Sequence, residues 1–246
     1  MSRLDQPLAR RLRTHVDRLA GDIGERNVFV PEALHLASAY IEDEWRASGY
    51  AVERQEYDVR QTRCANLVAT REGGARRSEI LMIGAHYDSV IGCPGANDNA
   101  SGIAALLEIS RMFQTVEPNL TVRFVAFVNE EPPFFMSGEQ GSMAYASAAR
   151  RRGDDIRLMA SLETIGYYSD QPGSQSYPRC SATSIPIAAI SSGSSRISDR
   201  ERSWDVSLRR SGRIAIFRCR PPQLSASFPA FHGAIMRRSG AKAIEP

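Results

Sequence analysis

The chain has 246 residues, 42% of them hydrophobic and 24% charged, enough for one large α/β domain or at most two small ones. No run of about 18 apolar residues is present, which excludes a membrane-spanning helix. The N-terminus MSRLDQPLARRLRTHVDRLAG lacks an unbroken apolar stretch, so no secretory signal and a cytoplasmic location are expected. The net charge of +3 is unevenly distributed. Residues 1–178 carry 19 basic and 24 acidic side chains, a net −5, whereas residues 179–246 carry 12 basic and 4 acidic ones, a net +8. A zinc finger or disulfide framework is not indicated, because Cys64, Cys93, Cys180 and Cys219 are scattered without CxxC spacing.

In chain order, LARRLRTHVDRLAGDI and PEALHLASAYIEDEWRASG have apolar residues at helical spacing, the second opening on Pro31 and closing at Gly49. YAVERQEYDV and CANLVATRE then alternate apolar and polar residues as strands do, followed by a turn at REGGARR. The nearly continuous apolar run EILMIGAHY predicts a buried central strand. NASGIAALLEISRMFQ predicts an amphipathic helix with Ile103, Leu106, Leu107 and Ile109 toward the sheet. TVRFVAFVNEE, GSMAYASAARRR and DIRLMASLETIG predict a further strand, helix and strand. This order implies an α/β fold of three layers, α/β/α, around a central, mostly parallel sheet. Two regions are expected: a domain over 1–178, with N-terminal helices to residue 49, and an irregular Ser- and Arg-rich tail over 179–246.

The polar residues with chemical potential gather where strands end. His86 and Asp88 follow EILMIGA, and Asp98 lies in the loop GCPGANDNASG before a helix. Glu130 and Glu131 end TVRFVAFVN, and Glu163 ends DIRLMASL. Singly, each has a plainer role: Asp98 as a helix cap, the glutamates as solvated strand ends, His86 as a surface hydrogen-bonding group. Together they bring one histidine and five carboxylates to the carboxyl edge of three consecutive strands, where open α/β sheets bind ligands. So many acids repel one another unless a dication sits among them, and mixed histidine and carboxylate ligation suits zinc. The apolar PPFF beside Glu130 and Glu131 argues against an open charged loop. Neighbouring strand residues point to opposite sides, so one of the two glutamates is expected at the metal and the other toward substrate.

HYDSV, GANDNASG, NEEPPFF and SLETIGYYSDQPGSQSYP, in this order over about residues 30–178, resemble the co-catalytic zinc aminopeptidases of the bacterial leucyl aminopeptidase type. That family has carboxypeptidase and glutaminyl cyclase relatives. The resemblance implies a central mixed sheet between helices, two zinc ions, a peptide substrate and hydrolysis by a metal-bridged water. It implies that His86 and Glu163 bind one zinc, Glu131 the other, and Asp98 both. It further implies that Asp88 orients His86, that Glu130 is the general base, and that a cis peptide joins Asp98 to Asn99. Glu163 departs from the family's more common aspartate at this position. Cys93, near the site but without a base, is expected to be structural.

One family ligand, a histidine in a context like YH-T-x-x-DT, has no counterpart here. His232, in PAFHGAIMRR, has the wrong surroundings, and His15 and His35 are expected on the surface of the N-terminal helices. Read two nucleotides out of frame with wobble bases free, RCSATSIPIAAISSGSSRIS permits LFRYLYPDRGDFIGFVSDL, and HGAIMRRSGAKAIEP permits RRDHAPFWREGYRA. Both strings resemble the family's usual continuation, including a D-H-x-P-F-W segment. A frameshift near Arg179 is therefore expected, with the last histidine ligand beyond the end of the chain. The tail arginines lack interleaved aromatics, so no nucleic-acid partner is expected. The alternatives are a non-catalytic scaffold using the basic tail, or hydrolysis or cyclisation of a different substrate by a carboxypeptidase- or glutaminyl cyclase-like enzyme.

Overall fold

A computed structural model describes residues 5–167, together with the backbone of three short strands at 193–194, 207–208 and 214–217. Helix α1 (Asp5–Val16) runs on as a π-helical turn over Asp17–Ile23, and α2 spans Pro31–Ala47. Proline is tolerated at the first position of α2, where its missing N–H has no helical acceptor. Leu34, Ala37, Ser38, Ile41, Glu42 and Trp45 form the buried stripe of α2, at the spacing of one helix face. Gly49, with φ 85°, lets the chain leave the helix in the left-handed conformation.

Strands β1 (Val52–Val59) and β2 (Thr62–Arg71) form an antiparallel hairpin. Its two-residue turn places Arg60 and Gln61 at φ 46° and 68°, the left-handed geometry that matches strand twist. Then follow β3 (Arg76–His86), α3 (Ser101–Phe113), β4 (Leu120–Phe127), α4 (Gly141–Arg152) and β5 (Asp155–Leu162). These are the strands and helices expected from the hydrophobic periods. The remaining strands are β6 (Gly193–Ser194), β7 (Ser207–Leu208) and β8 (Ile214–Phe217).

The main sheet has the order β1-β2-β4-β3-β5-β8 and is mixed. Its centre, β4-β3-β5, is parallel, as the alternation of strands and helices requires. The hairpin adds two antiparallel pairings on one side, and β8 adds one on the other. The expected irregular tail otherwise lies outside the described residues, as does His232.

Alternation along the strands divides the apolar residues between two layers. Val122, Phe124 and Ala126 of β4 join Leu67 and Ala69 of β2, Ile103 and Leu106 of α3 and Trp45 of α2 in one core. Val125 and Phe127 face the other way, with Val68, Met82, Tyr145 and Ala149 of α4. Helices therefore cover both faces. Among the described residues no helix is long and apolar enough to cross a membrane.

His15 corrects an expectation. It is buried, not on the surface, with Nδ1 2.6 Å from the Tyr40 hydroxyl and Nε2 3.2 Å from Glu108 Oε1. Two polar partners satisfy its ring, and this lets an imidazole enter the α1–α3 contact. His35 is exposed as expected, and its Nε2 donates to the Arg63 carbonyl.

Helix α3 packs closely against the end of β5 through Gly102. A Cβ there would lie 2.3 Å from Asn99 Oδ1 and 2.5 Å from the Leu162 carbonyl. Gly102→Ala is expected to lower unfolding free energy by about 1–3 kcal/mol, the usual cost of overpacking. Urea denaturation of the two proteins measures it.

Candidate metal centre

The C-terminal end of β3 lies between β4 and β5, because the chain goes from β3 to β4 on one side and then crosses to β5 on the other. Ligands bind at such a switch point in open sheets, since diverging loops leave a crevice there. His86 is the last residue of β3, Glu163 follows β5, and Asp98 lies in the loop leading to α3. The structure brings the three together, with ligand atoms all within 4.8 Å of one another. His86 Nε2 is 3.1 Å from Asp98 Oδ1 and 3.3 Å from Glu163 Oε1.

The ring of His86 is oriented from behind. Its Nδ1 lies 3.2 Å from the Asp88 carbonyl and 3.5 Å from Asp88 Oδ1, so Nδ1–H donates there and Nε2 faces the carboxylates. The His86 side chain is only 2% exposed, whereas those of Asp98 and Glu163 are 51% and 45% exposed. The cluster thus has a buried base and an open mouth. Burial opposes an imidazolium, but the hydrogen bonds to Asp88, Asp98 and Glu163 outweigh it and hold His86 well above its ordinary pKa. The hydrogen bond from His86 is the main reason that Asp98 is held below the usual carboxylate range.

Glu130 and Glu131 are placed differently from expectation. β4 ends at Phe127, and the two glutamates lie in the loop beyond it. Pairing stops because Val128 N–H donates to Asn66 Oδ1 and its carbonyl accepts from Gly141 N–H, while Asn129 turns to φ 57°. Strand alternation therefore does not set their directions. The backbone N–H groups of Glu130 and Glu131 both donate to Asp88, at 3.1 Å to Oδ1 and 3.1 Å to Oδ2. Asp88 thus contacts His86 and also holds the loop carrying both glutamates.

Glu130 Oε2 lies 3.8 Å from His86 Nε2. Burial, reinforced by the charges of Glu163, Asp88 and Glu131 and opposed by His86, pushes its carboxyl up to about 7. Glu131 is also pushed up to about 7, by burial first and then by Asp98. Glu131 Oε1 is buried and, among the described residues, without a hydrogen-bond partner. An orphaned carboxylate oxygen beside a cluster of acids and one imidazole fits a divalent cation, and the mixed nitrogen and oxygen donor set fits zinc.

Three supporting residues escaped the sequence reading. Asn99 is fully buried. Its amide donates to the Leu162 carbonyl at 2.8 Å, and its Oδ1 accepts from Gly102 N–H at 3.0 Å and Thr164 N–H at 3.3 Å. It thereby fixes the Asp98 loop to the segment carrying Glu163. Asn97 Oδ1 adds a bond from Gly166 N–H. Arg26, fully buried, is the third. The Asp98–Asn99 peptide is cis, as the resemblance implied. Cys93 is exposed, and its carbonyl accepts from Ser89 Oγ.

Comparison with known proteins agrees with this architecture. The chain is 40% identical over 153 residues to the Escherichia coli K12 protein YfbL, covering 59% of this chain and 46% of that protein. It is 29% identical over 184 residues to a probable zinc metalloprotease of Pyricularia oryzae, covering 63% of this chain and 35% of that protein. The chain thus spans less than half the length of these curated relatives. Among solved structures, a zinc aminopeptidase from Bacillus subtilis superposes with a TM-score of 0.59 at 14% identity, over 68% of this chain and 71% of that one. At that identity the likeness concerns the fold. Residues 66–198, more than half of the sequence and running beyond the charge boundary near residue 179, match peptidase family M28, and the chain is a member of that family.

Proposed function

We propose that the chain is a zinc-dependent exopeptidase that removes residues from the amino terminus of peptides. The observation that carries this reading is the convergence of His86, Asp98 and Glu163 from three separate segments, beside a third carboxylate, Glu131, with a buried unpartnered oxygen. Membership of a peptidase family, and relatives named as a zinc metalloprotease and a zinc aminopeptidase, support the same reaction and metal.

His86, Asp98 and Glu163 would hold a zinc ion, and Glu131, with its buried unpartnered oxygen, would add a carboxylate ligand beside them. Bound zinc supplies a Lewis acid that polarises a carbonyl and acidifies water. The protein contributes the rest. Asp88 keeps the proton of His86 on Nδ1, leaving Nε2 free to ligate. Glu130, with its carboxylate 3.8 Å from His86 Nε2, takes a proton from the attacking water and passes it to the departing amine. The open side of the cluster, formed by the exposed carboxylates of Asp98 and Glu163, admits the substrate.

Hydrolysis of aminoacyl-p-nitroanilides by the purified chain tests this reading. Activity is expected to need zinc, to be lost to a chelator and to return with added zinc. Failure to hydrolyse any such substrate while holding zinc contradicts the aminopeptidase assignment.

Asp88→Asn has a separate expected effect. The amide can accept one of the two N–H groups of Glu130 and Glu131, but presents its own donor to the other. Zinc affinity is expected to fall by about 10- to 100-fold, as for other changes to groups that orient ligands, measured by competition with a chromophoric chelator.

A further inference from the structure

We propose that Arg26 is a positioning residue for the metal centre, its guanidinium clasping together the two loops that flank His86 and Asp98; the assignment rests on the zinc reading above. Arg26 is fully buried. Its Nε donates to the Tyr87 carbonyl at 2.7 Å, and its Nη2 to the Gly95 carbonyl at 2.9 Å. Its Nη1 donates to the carbonyls of Gly24 at 3.0 Å, Leu19 at 3.3 Å and Pro94. The main chain of Arg26 adds two more bonds to the first loop: its N–H donates to Ser89 Oγ at 3.1 Å, and its carbonyl accepts from Ser89 N–H at 3.0 Å.

These contacts bear on the ligands directly. Tyr87 separates His86 from Asp88, and Gly95 begins the turn that presents Asp98. Gly95 adopts φ 61°, and a Cβ there would lie 2.4 Å from the Asp98 carbonyl, 2.7 Å from Ser89 Cβ and 3.2 Å from Arg26 Nη2. The clasp is therefore closed around a residue without a side chain. Arginine suits this place because its rigid fork reaches carbonyls on several sides at once; a lysine ammonium concentrates three donors at one point.

Its charge is also used unusually. A buried cation ordinarily pairs with a carboxylate in contact. Among the described residues, the Arg26 guanidinium hydrogen-bonds only to main-chain carbonyls, and Asp88, Asp98 and Glu131 stabilise its charge from a distance. Burial lowers it to about 10, so it remains a cation at neutral pH. Arg26 thus offsets part of the repulsion among the acids of the site while fixing the loops that carry two of them.

Arg26→Lys and Arg26→Met, compared with the wild-type chain, test the assignment. Metal-free stability is measured by urea denaturation and zinc affinity by chelator competition. Trp45→Phe serves as control, because it loses the buried bond from Trp45 Nε1 to Ser110 Oγ without touching either loop. Arg26→Lys is expected to stay folded and to bind zinc about 10- to 100-fold more weakly, with Arg26→Met weaker still, while Trp45→Phe loses stability and keeps its zinc affinity. Wild-type zinc affinity in folded Arg26→Lys overturns the assignment. So does an equal loss of affinity in Trp45→Phe, or failure of both Arg26 variants to fold, because arginine then only holds the fold. A wild-type chain that binds no zinc overturns the zinc reading itself, and this assignment with it.

Discussion

His86→Ala is expected to remove zinc from the cluster and to lower kcat/KM by about a thousandfold or more, since bound metal supplies several kcal/mol of transition-state stabilisation. The expectation follows from the geometry around one nitrogen. His86 Nε2 faces Asp98 and Glu163, at 3.1 and 3.3 Å, and is the nitrogen that a metal would claim in place of a proton. Its orientation is set by Asp88 on the other side of the ring. Alanine deletes this donor and leaves carboxylates facing one another without a cation, so any metal bound there must be held by acids alone. Zinc content after dialysis, together with kcat/KM on an aminoacyl-p-nitroanilide, measures the effect. Full zinc retention in the variant would place the metal elsewhere.

Glu130→Gln is expected to lower kcat by about 10²- to 10⁴-fold, the usual worth of a positioned general base, with little change in KM or zinc affinity. Glutamine preserves size and the main-chain bond to Asp88, but it cannot take up a proton at neutral pH. Glu130 is distinguished from its neighbour by position: its carboxylate lies 3.8 Å from His86 Nε2, outside the cluster of His86, Asp98 and Glu163. Glu131 instead carries the orphaned buried oxygen. Loss of zinc from Glu130→Gln would exchange the roles of the two glutamates; retained activity would remove Glu130 from the reaction.

Periodicity made the scaffold legible. EILMIGAHY and TVRFVAFVNEE read as buried strands because β3 and β4 are covered on both faces, and α2 reads as a helix because it buries one stripe, whereas α3 is buried nearly all round, Glu108 and Ser110 included. The grouping of His86, Asp98 and Glu163 was legible because strands of a parallel sheet core deliver their ends to one edge. Hydrogen bonding to the main chain was not legible, since it leaves no period. Asn66 and Gly141 end β4 early, so Glu130 and Glu131 are directed by Asp88 and not by strand alternation. Arg26, within GERNVF, looks like any loop arginine until its five main-chain acceptors are seen, four of them brought near only by folding of the turns at Leu19, Tyr87 and Pro94–Gly95. His15 looked like a surface residue because its partners, Tyr40 and Glu108, lie 25 and 93 residues away.

Zinc is expected to bind where β3, β5 and the Asp98 loop meet. Crystals grown with zinc, with diffraction recorded on both sides of the zinc absorption edge, test it most directly. The expected result is an anomalous peak in contact with His86 Nε2, Asp98 and Glu163. A well-ordered His86 cluster without such a peak, or a peak held by other residues, contradicts the account.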